Sequence, residues 1–188
     1  MAMTNEELMQ ILTETGAYQT GHFKLSSGLH SGNYIQCSQL LKFPRVAEKV
    51  CSEIAALFKD DNIEMVVGPA IGGILVAFDV PAIFAERQDG KMTLRRGFHV
   101  EPGTRCLVTE DVLTTGGSAQ EVVELLQAQG AEVVSATSII DRTPGNTLKL
   151  KVPFKSLIQL TFPTYTEEEC PMCKEGQPIQ KPGSRPGI

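Results

Sequence analysis

The segment Leu107 to Ser118 reads LVTEDVLTTGGS. An apolar run leads into two adjacent acids, Glu110 and Asp111. Val112 and Leu113 follow, then the small polar series Thr114, Thr115, Gly116, Gly117 and Ser118. Backbone N–H groups and hydroxyls of residues 114–118, set at the positive end of a following helix, suit an anion such as a phosphate. Glycines at 116 and 117 let the backbone approach that anion closely. Two carboxylates directly before such a loop would repel a bare phosphate. They make sense when the same ligand carries a vicinal diol one phosphate's distance away, because ionised carboxylates are strong acceptors for hydroxyls. Diol plus phosphate describes a ribose 5-phosphate. TTGGS alone would serve equally well as a helix cap and tight turn; the acid pair after an apolar strand favours the ligand. The segment lacks the lysine of a Walker loop and the spacing of a dinucleotide fingerprint.

Such a loop needs a strand before it and a helix after it, and the flanking pattern supplies both. Arg105 to Thr109 reads as a strand. Ser118 to Gln129, with Val122, Val123, Leu125 and Leu126, reads as a helix stopped by Gly130. Further strands are expected at Ile63–Val67, Pro81–Ala85 and Glu132–Ile140. An amphipathic helix is expected over Arg45–Phe58, where Val46, Val50, Ile54, Leu57 and Phe58 recur at three- and four-residue intervals. Thr4 and Glu7 form a capping-box pair ahead of Leu8, Ile11 and Leu12, and Gly16 ends that first helix. Phe23 to Pro44 reads as loops with one or two short strands. Gly68 to Gly73 reads as a turn into a short apolar helix. Lys91 to Val100 reads as a hairpin excursion, and the tail from Pro163 is weakly patterned. Nearly all-apolar strands alternating with helices predict an α/β fold with a parallel sheet flanked by helices. Ligands of such sheets sit beyond the carboxyl ends of the strands, where the LVTEDVLTTGGS loop lies.

A length of 188 residues without repeats or long linkers predicts one domain. The net charge of -5 argues against a general nucleic-acid or membrane-surface binder, whose footprint is basic. The opening MAMTNEELMQ has no basic region followed by an apolar run, and no stretch is long enough to span a bilayer. Reduced thiols and a cytoplasmic location are therefore expected for the five cysteines. Cys170-Pro171-Met172-Cys173 is half of a zinc site at most, and Cys37, Cys51 and Cys106 form no second close pair. A turn is the expectation there, and no metal-ligand set is assigned.

The loop resembles the phosphoribosyl pyrophosphate motif of the type I phosphoribosyltransferases. Other segments resemble the orotate phosphoribosyltransferases within that group: Phe23 to Ser31, Gly68 to Gly73, Phe84 to Arg87 with Arg95 to Phe98, Ile139 to Arg142, and the tail with Cys170 to Cys173 and Lys181 to Arg185. The resemblance covers nearly the whole chain. It implies a type I phosphoribosyltransferase-like fold with an amino-terminal hood (residues 1–43), an α/β core (44–162), a carboxy-terminal tail (163–188) and a flexible lid hairpin. It implies transfer of the phosphoribosyl group from phosphoribosyl pyrophosphate to orotate with Mg²⁺, in a cytoplasmic homodimer whose lid reaches the neighbouring site. The acids and residues 112–118 would hold phosphoribosyl pyrophosphate. Arg87 and Lys91, from a basic segment that also holds Arg95 and Arg96, would close over pyrophosphate. Arg87, Lys91 and Asp111 would be catalytic.

Arg142 would grip the orotate carboxylate, with Thr114, Ser26 and Tyr34 around the base. Ser26 stands where many relatives carry a lysine, so a charge contact there is lost or supplied by Lys24 or His30. A purine-base phosphoribosyltransferase, or a non-catalytic regulator that senses phosphoribosyl pyrophosphate, would share the loop; the first would lack the Arg142 context and the second would need a nucleic-acid-binding surface. Only Ile74 to Ile83 remain to complete the crossover after Gly73, so a short helix and an exposed patch near Val80 and Ile83 are expected.

Overall fold

The computed structural model describes residues 3–69, 80–143 and 148–182. Helix α1 (Asn5–Glu14) starts as the capping box requires: the Thr4 hydroxyl accepts from the Glu7 N–H, and the Glu7 carboxylate accepts from the Thr4 N–H. Leu8 and Leu12, one turn apart, bury against the core. Strands β1 (Tyr18–Lys24) and β2 (His30–Ile35) form an antiparallel hairpin. One extra residue on β1 lies between the pairs Thr20↔Asn33 and Phe23↔Ser31, a bulge that redirects the side chains around His22. A short α2 (Ser38–Leu41) leads into α3 (Pro44–Leu57), which buries Val50, Cys51 and Ile54.

The main sheet is built from β3 (Met65–Pro69), β4 (Ala82–Gln88), β5 (Lys91–Leu94), β6 (Arg105–Leu113), β7 (Glu132–Asp141) and β8 (Phe154–Gln159). Its spatial order is β5-β4-β3-β6-β7-β8, parallel throughout except for the β4–β5 hairpin. The turn of that hairpin, Asp89-Gly90, has positive φ at both residues, the geometry that matches right-handed strand twist. Helix α4 (Gly117–Ala128) covers one face, where Val122, Val123 and Leu126 pack with Val67, Ala85 and Val108. Helices α1 and α3 cover the other, where Leu8, Val50 and Ile54 pack with Val66, Leu107 and Ile139.

The expected α/β architecture is present, with differences that matter for the site. Strand β6 runs to Leu113 rather than ending at Thr109, because its ladder with β7 continues through Glu110↔Ser138 and Leu113↔Asp141. The hairpin expected from Lys91 begins within β4. Strand β8 was not legible in the pattern: it is an edge strand whose Lys155 reaches back to the Leu57 carbonyl. The patch expected near Val80 and Ile83 is not exposed. Strand β4 lies between β3 and β5, so Ile83 is buried within the sheet, and Val80 is half-buried against the other core cluster. The short helix expected after Gly73, and the end of the Gly68–Gly73 turn, lie outside the described residues.

The tail returns to the amino-terminal hairpin. Strand β9 (Thr164–Tyr165) pairs with β2, making a three-stranded sheet β1-β2-β9. Beyond it a single turn, α5 (Pro171–Lys174), leads to Gln180, which exchanges backbone hydrogen bonds with His22 and Lys24. No helix among the described residues is long and apolar enough to cross a membrane.

Candidate active site

Glu110 and Asp111 stand at the carboxyl end of β6, in the middle of the sheet. Adjacent strand residues project to opposite faces. Asp111 belongs to the wall of a cavity of about 350 Å³ that also includes Tyr34, Ile35, Gln36, Cys37 and Ser38. Its Oδ1 accepts from the Val112 N–H at 2.8 Å. Among the described residues neither acid has an ion pair. Burial first, and the charge of Asp111 second, push the Glu110 carboxyl up to about 8. Asp111 is raised too, by burial, against the opposing effect of backbone hydrogen bonds. Two half-desolvated acids without a cation describe a site that gains by taking hydroxyl donors or a hard divalent cation.

The loop that follows is held from behind. The Leu113 carbonyl accepts from the Arg142 N–H at 2.7 Å, and the Thr115 carbonyl from the Lys149 N–H at 2.9 Å. Thr114 and Thr115 are exposed, while Gly116 is buried. Gly116 has φ of 72°, and a Cβ there would lie 3.1 Å from the Leu150 side chain, so only glycine fits. It caps α4 without a side-chain hydrogen bond, and the first described intrahelical bond is Gln120 N–H to the Gly116 carbonyl. The N–H groups of Gly117, Ser118 and Ala119 therefore remain available at the positive end of a three-turn helix.

Across the cavity, Tyr34 closes the hood side and packs its ring 5.6 Å from that of Phe23. Arg142, at the end of β7, lies close enough to Tyr34 for their charges to interact. Burial raises the Tyr34 hydroxyl, which Arg142 opposes and Asp111 reinforces. Burial pulls Arg142 below the usual guanidinium range. Its guanidinium stacks 5.0 Å from the Phe162 ring centroid, and its buried Nε has no hydrogen-bond partner among the described residues. A partly desolvated cation with an open donor is a receptor for a carboxylate. Cys37, also at the cavity, is raised well above the thiol range by burial and by Asp111, so it is not a ready nucleophile.

The structure thus brings together Glu110, Asp111, residues 112–118, Tyr34 and Arg142, and leaves other expected residues apart. Arg87 bonds Glu121 of α4 at 2.9 Å and the Gly90 carbonyl at 2.7 Å. Lys91 is exposed and has no ion pair among the described residues. Arg95 and Arg96 both pair with Glu86, at 3.8 and 2.9 Å, and Arg96 also lies over Phe84. Ser26 sits in an exposed turn closed by the Leu25 N–H to Leu29 carbonyl bond. Neither stand-in for the missing lysine is free: Lys24 pairs with Glu167, and His30 is buried beside Cys173. That cluster has no second cysteine pair in the sequence to signal it, because the fold supplies two histidines, His22 and His30, instead.

Residues 36–166 match the model of the phosphoribosyl transferase domain. The chain belongs to this family. Phosphoribosyltransferase relatives match over nearly its whole length. The orotate phosphoribosyltransferase of Thermotoga maritima is 50% identical over 95% of this chain and 98% of its own. That of Caldicellulosiruptor bescii is 46% identical over 97% and 99%. The crystal structure of the orotate phosphoribosyltransferase from Aeropyrum pernix superposes with a TM-score of 0.68 at 26% identity, covering 81% of this chain and 93% of that one. The type I phosphoribosyltransferase fold expected from the motifs is the fold observed.

The acid pair has a consequence for stability. A carboxyl raised on folding favours the folded state in its neutral form; that contribution is full below the ordinary carboxylate pKa and is lost as pH rises through about 8. Glu110→Gln keeps the neutral form at every pH. Its melting temperature should match that of the parent near pH 5 and exceed it by several degrees near pH 9, at roughly 2–4 °C per kcal/mol. Thermal melts across that range check it; a difference independent of pH would contradict it.

Proposed function

We propose that this chain transfers the 5-phosphoribosyl group from phosphoribosyl pyrophosphate to orotate, giving orotidine 5′-monophosphate and pyrophosphate, a step of pyrimidine nucleotide synthesis. The observation that carries the choice of base is Arg142, a cation without an acidic partner among the described residues, beside Tyr34 at the cavity. An orotate carboxylate would fill that vacancy with two parallel hydrogen bonds. A purine base has no such group. The names of the relatives support the same base.

In this reading residues 114–118 hold the 5-phosphate through backbone N–H groups and hydroxyls at the start of α4, and Glu110 and Asp111 accept from the ribose hydroxyls. Both substrates then meet at the carboxyl end of β6. The bond from the anomeric carbon to pyrophosphate breaks and leaves positive charge on that carbon, which the adjacent carboxylates favour; the orotate nitrogen forms the new bond and its proton leaves with the pyrophosphate. No covalent intermediate with the protein is required, in keeping with the raised Cys37 thiol. The acid pair fits Mg²⁺ as well as hydroxyls: Glu110 and Asp111 would hold the ion, which would supply charge neutralisation for the leaving pyrophosphate. Arg87 and Lys91 serve the same charge only after the β4–β5 hairpin moves inward and Arg87 leaves Glu121. We place these events in a cytoplasmic homodimer in which that hairpin serves the neighbouring site.

Glu110→Ala/Asp111→Ala should lose activity by about a hundredfold or more with an unchanged circular dichroism spectrum, as expected when charge stabilisation at the reacting centre is removed. Near-normal turnover by that variant would contradict the ribose assignment. Arg142→Ala should weaken orotate by about 2–5 kcal/mol and leave phosphoribosyl pyrophosphate binding intact. Calorimetry with each ligand separates the two; equal loss of both would remove Arg142 from the base site.

A further inference from the structure

His22 and His30 of the β1–β2 hairpin meet Cys170 and Cys173 of the tail at the far side of the hood. One donor atom from each residue lies within 4.8 Å of all the others. His22 Nε2 is 3.0 Å from His30 Nδ1 and 3.6 Å from both sulfurs, and His30 Nδ1 is 3.2 Å from the Cys173 sulfur. A tetrahedral zinc ion, with Zn–N near 2.05 Å and Zn–S near 2.3 Å, has N···N edges of about 3.4 Å and N···S edges of about 3.6 Å. The four donors already stand close to that tetrahedron. Cys170 and the two histidines are buried, at 0%, 4% and 1% exposure, and Cys173 half-buried.

The surroundings of His22 select the same atom, whereas the far nitrogen of His30, Nε2, is buried without a partner among the described residues. His22 Nδ1 lies 3.0 Å from the Gln177 carbonyl oxygen, which can only accept, so the proton sits on Nδ1 and the lone pair of Nε2 points to the cluster. A metal-bound imidazole is held in this way by a carbonyl behind it. The bulge between Thr20 and Phe23 lies at His22, and Cys170 and Cys173 flank the single turn α5. Thiols and imidazoles buried together without a cation are costly neighbours. A soft-to-borderline divalent ion with tetrahedral preference removes the conflict.

We propose that His22, His30, Cys170 and Cys173 bind one structural Zn²⁺ ion that clips the carboxy-terminal tail to the hood. Binding exchanges two thiol protons for the ion and involves no electron transfer. Four protein ligands leave no open position, so the ion takes no part in chemistry. Its effect on the active site is positional: His30 begins β2 and Tyr34, at the cavity, lies four residues on. The Ser26 turn joins the two histidine-bearing strands. Zinc would thereby hold the hood in register with the sheet, together with the β2–β9 pairing and the Gln180 hydrogen bonds.

The test reads metal rather than activity, and so stands apart from the choice of substrate. Full-length protein purified from zinc-supplemented cells without chelator should contain one zinc per chain by inductively coupled plasma mass spectrometry. A mercurial thiol reagent should release that zinc. Replacement by Co²⁺ should produce the intense visible ligand-field bands and thiolate charge-transfer band of a tetrahedral S₂N₂ site. Cys170→Ser/Cys173→Ser should drop zinc to near zero. Should that variant fold poorly, the release and cobalt measurements on the unaltered chain decide. Protein that holds little or no zinc, carries a Cys170–Cys173 disulfide, holds a different metal at full occupancy, or keeps its zinc in the folded double variant overturns the proposal.

Discussion

The structure turns on the burial of two adjacent carboxylates at the end of its central strand. Each would be ordinary in water. At the tip of β6, flanked by β3 and β7, Glu110 and Asp111 lose much of their hydration and receive no cation in return among the described residues. Desolvation of this kind works against stability at neutral pH. In the proposed function its value lies in affinity for ribose hydroxyl donors and for a divalent cation, which would offset the lost hydration.

Around this pair the elements divide the work. The apolar strands and α4 make a rigid platform, and the buried Gly116 lets the chain turn sharply from β6 into the helix so that free N–H groups face the ligand end. The hood contributes Tyr34 and the cavity wall, and β7 contributes Arg142. Cation and acids lie on different elements, near enough to feel each other through Tyr34 but without a direct ion pair among the described residues. In the proposed function the orotate carboxylate would meet the cation and the ribose would meet the acids. The hood must therefore stay in register with the sheet, which gives the tail's attachment to β1 and β2 its importance.

The strand, loop and helix order of LVTEDVLTTGGS was legible in the sequence because acid pair, small polar loop and helix start are contiguous there. The α/β class followed from apolar strands alternating with helices, and α4 begins within one residue of the expected Ser118. The rest depended on long-range contacts. Where β6 ends is decided by its ladder with β7, some thirty residues on. Glu86 gathers Arg95 and Arg96, and Glu121 takes Arg87, so a run of basic residues that reads as one lid is divided among separate partners. His22 and His30 stand roughly 150 residues from the cysteines they meet. No spacing rule for cysteine pairs reaches that far.

The state of Glu110 before any ligand binds tests the central claim most directly. Carboxyl chemical shifts of isotopically labelled protein, assigned by comparison with Glu110→Gln, report its titration residue by residue. The account predicts a midpoint near 8 in the free protein, falling when Mg²⁺ and phosphoribosyl pyrophosphate are added together because the cation and the ribose hydroxyl donors favour the ionised form. A free-protein midpoint in the ordinary carboxylate range of about 4, unmoved by those ligands, would contradict it.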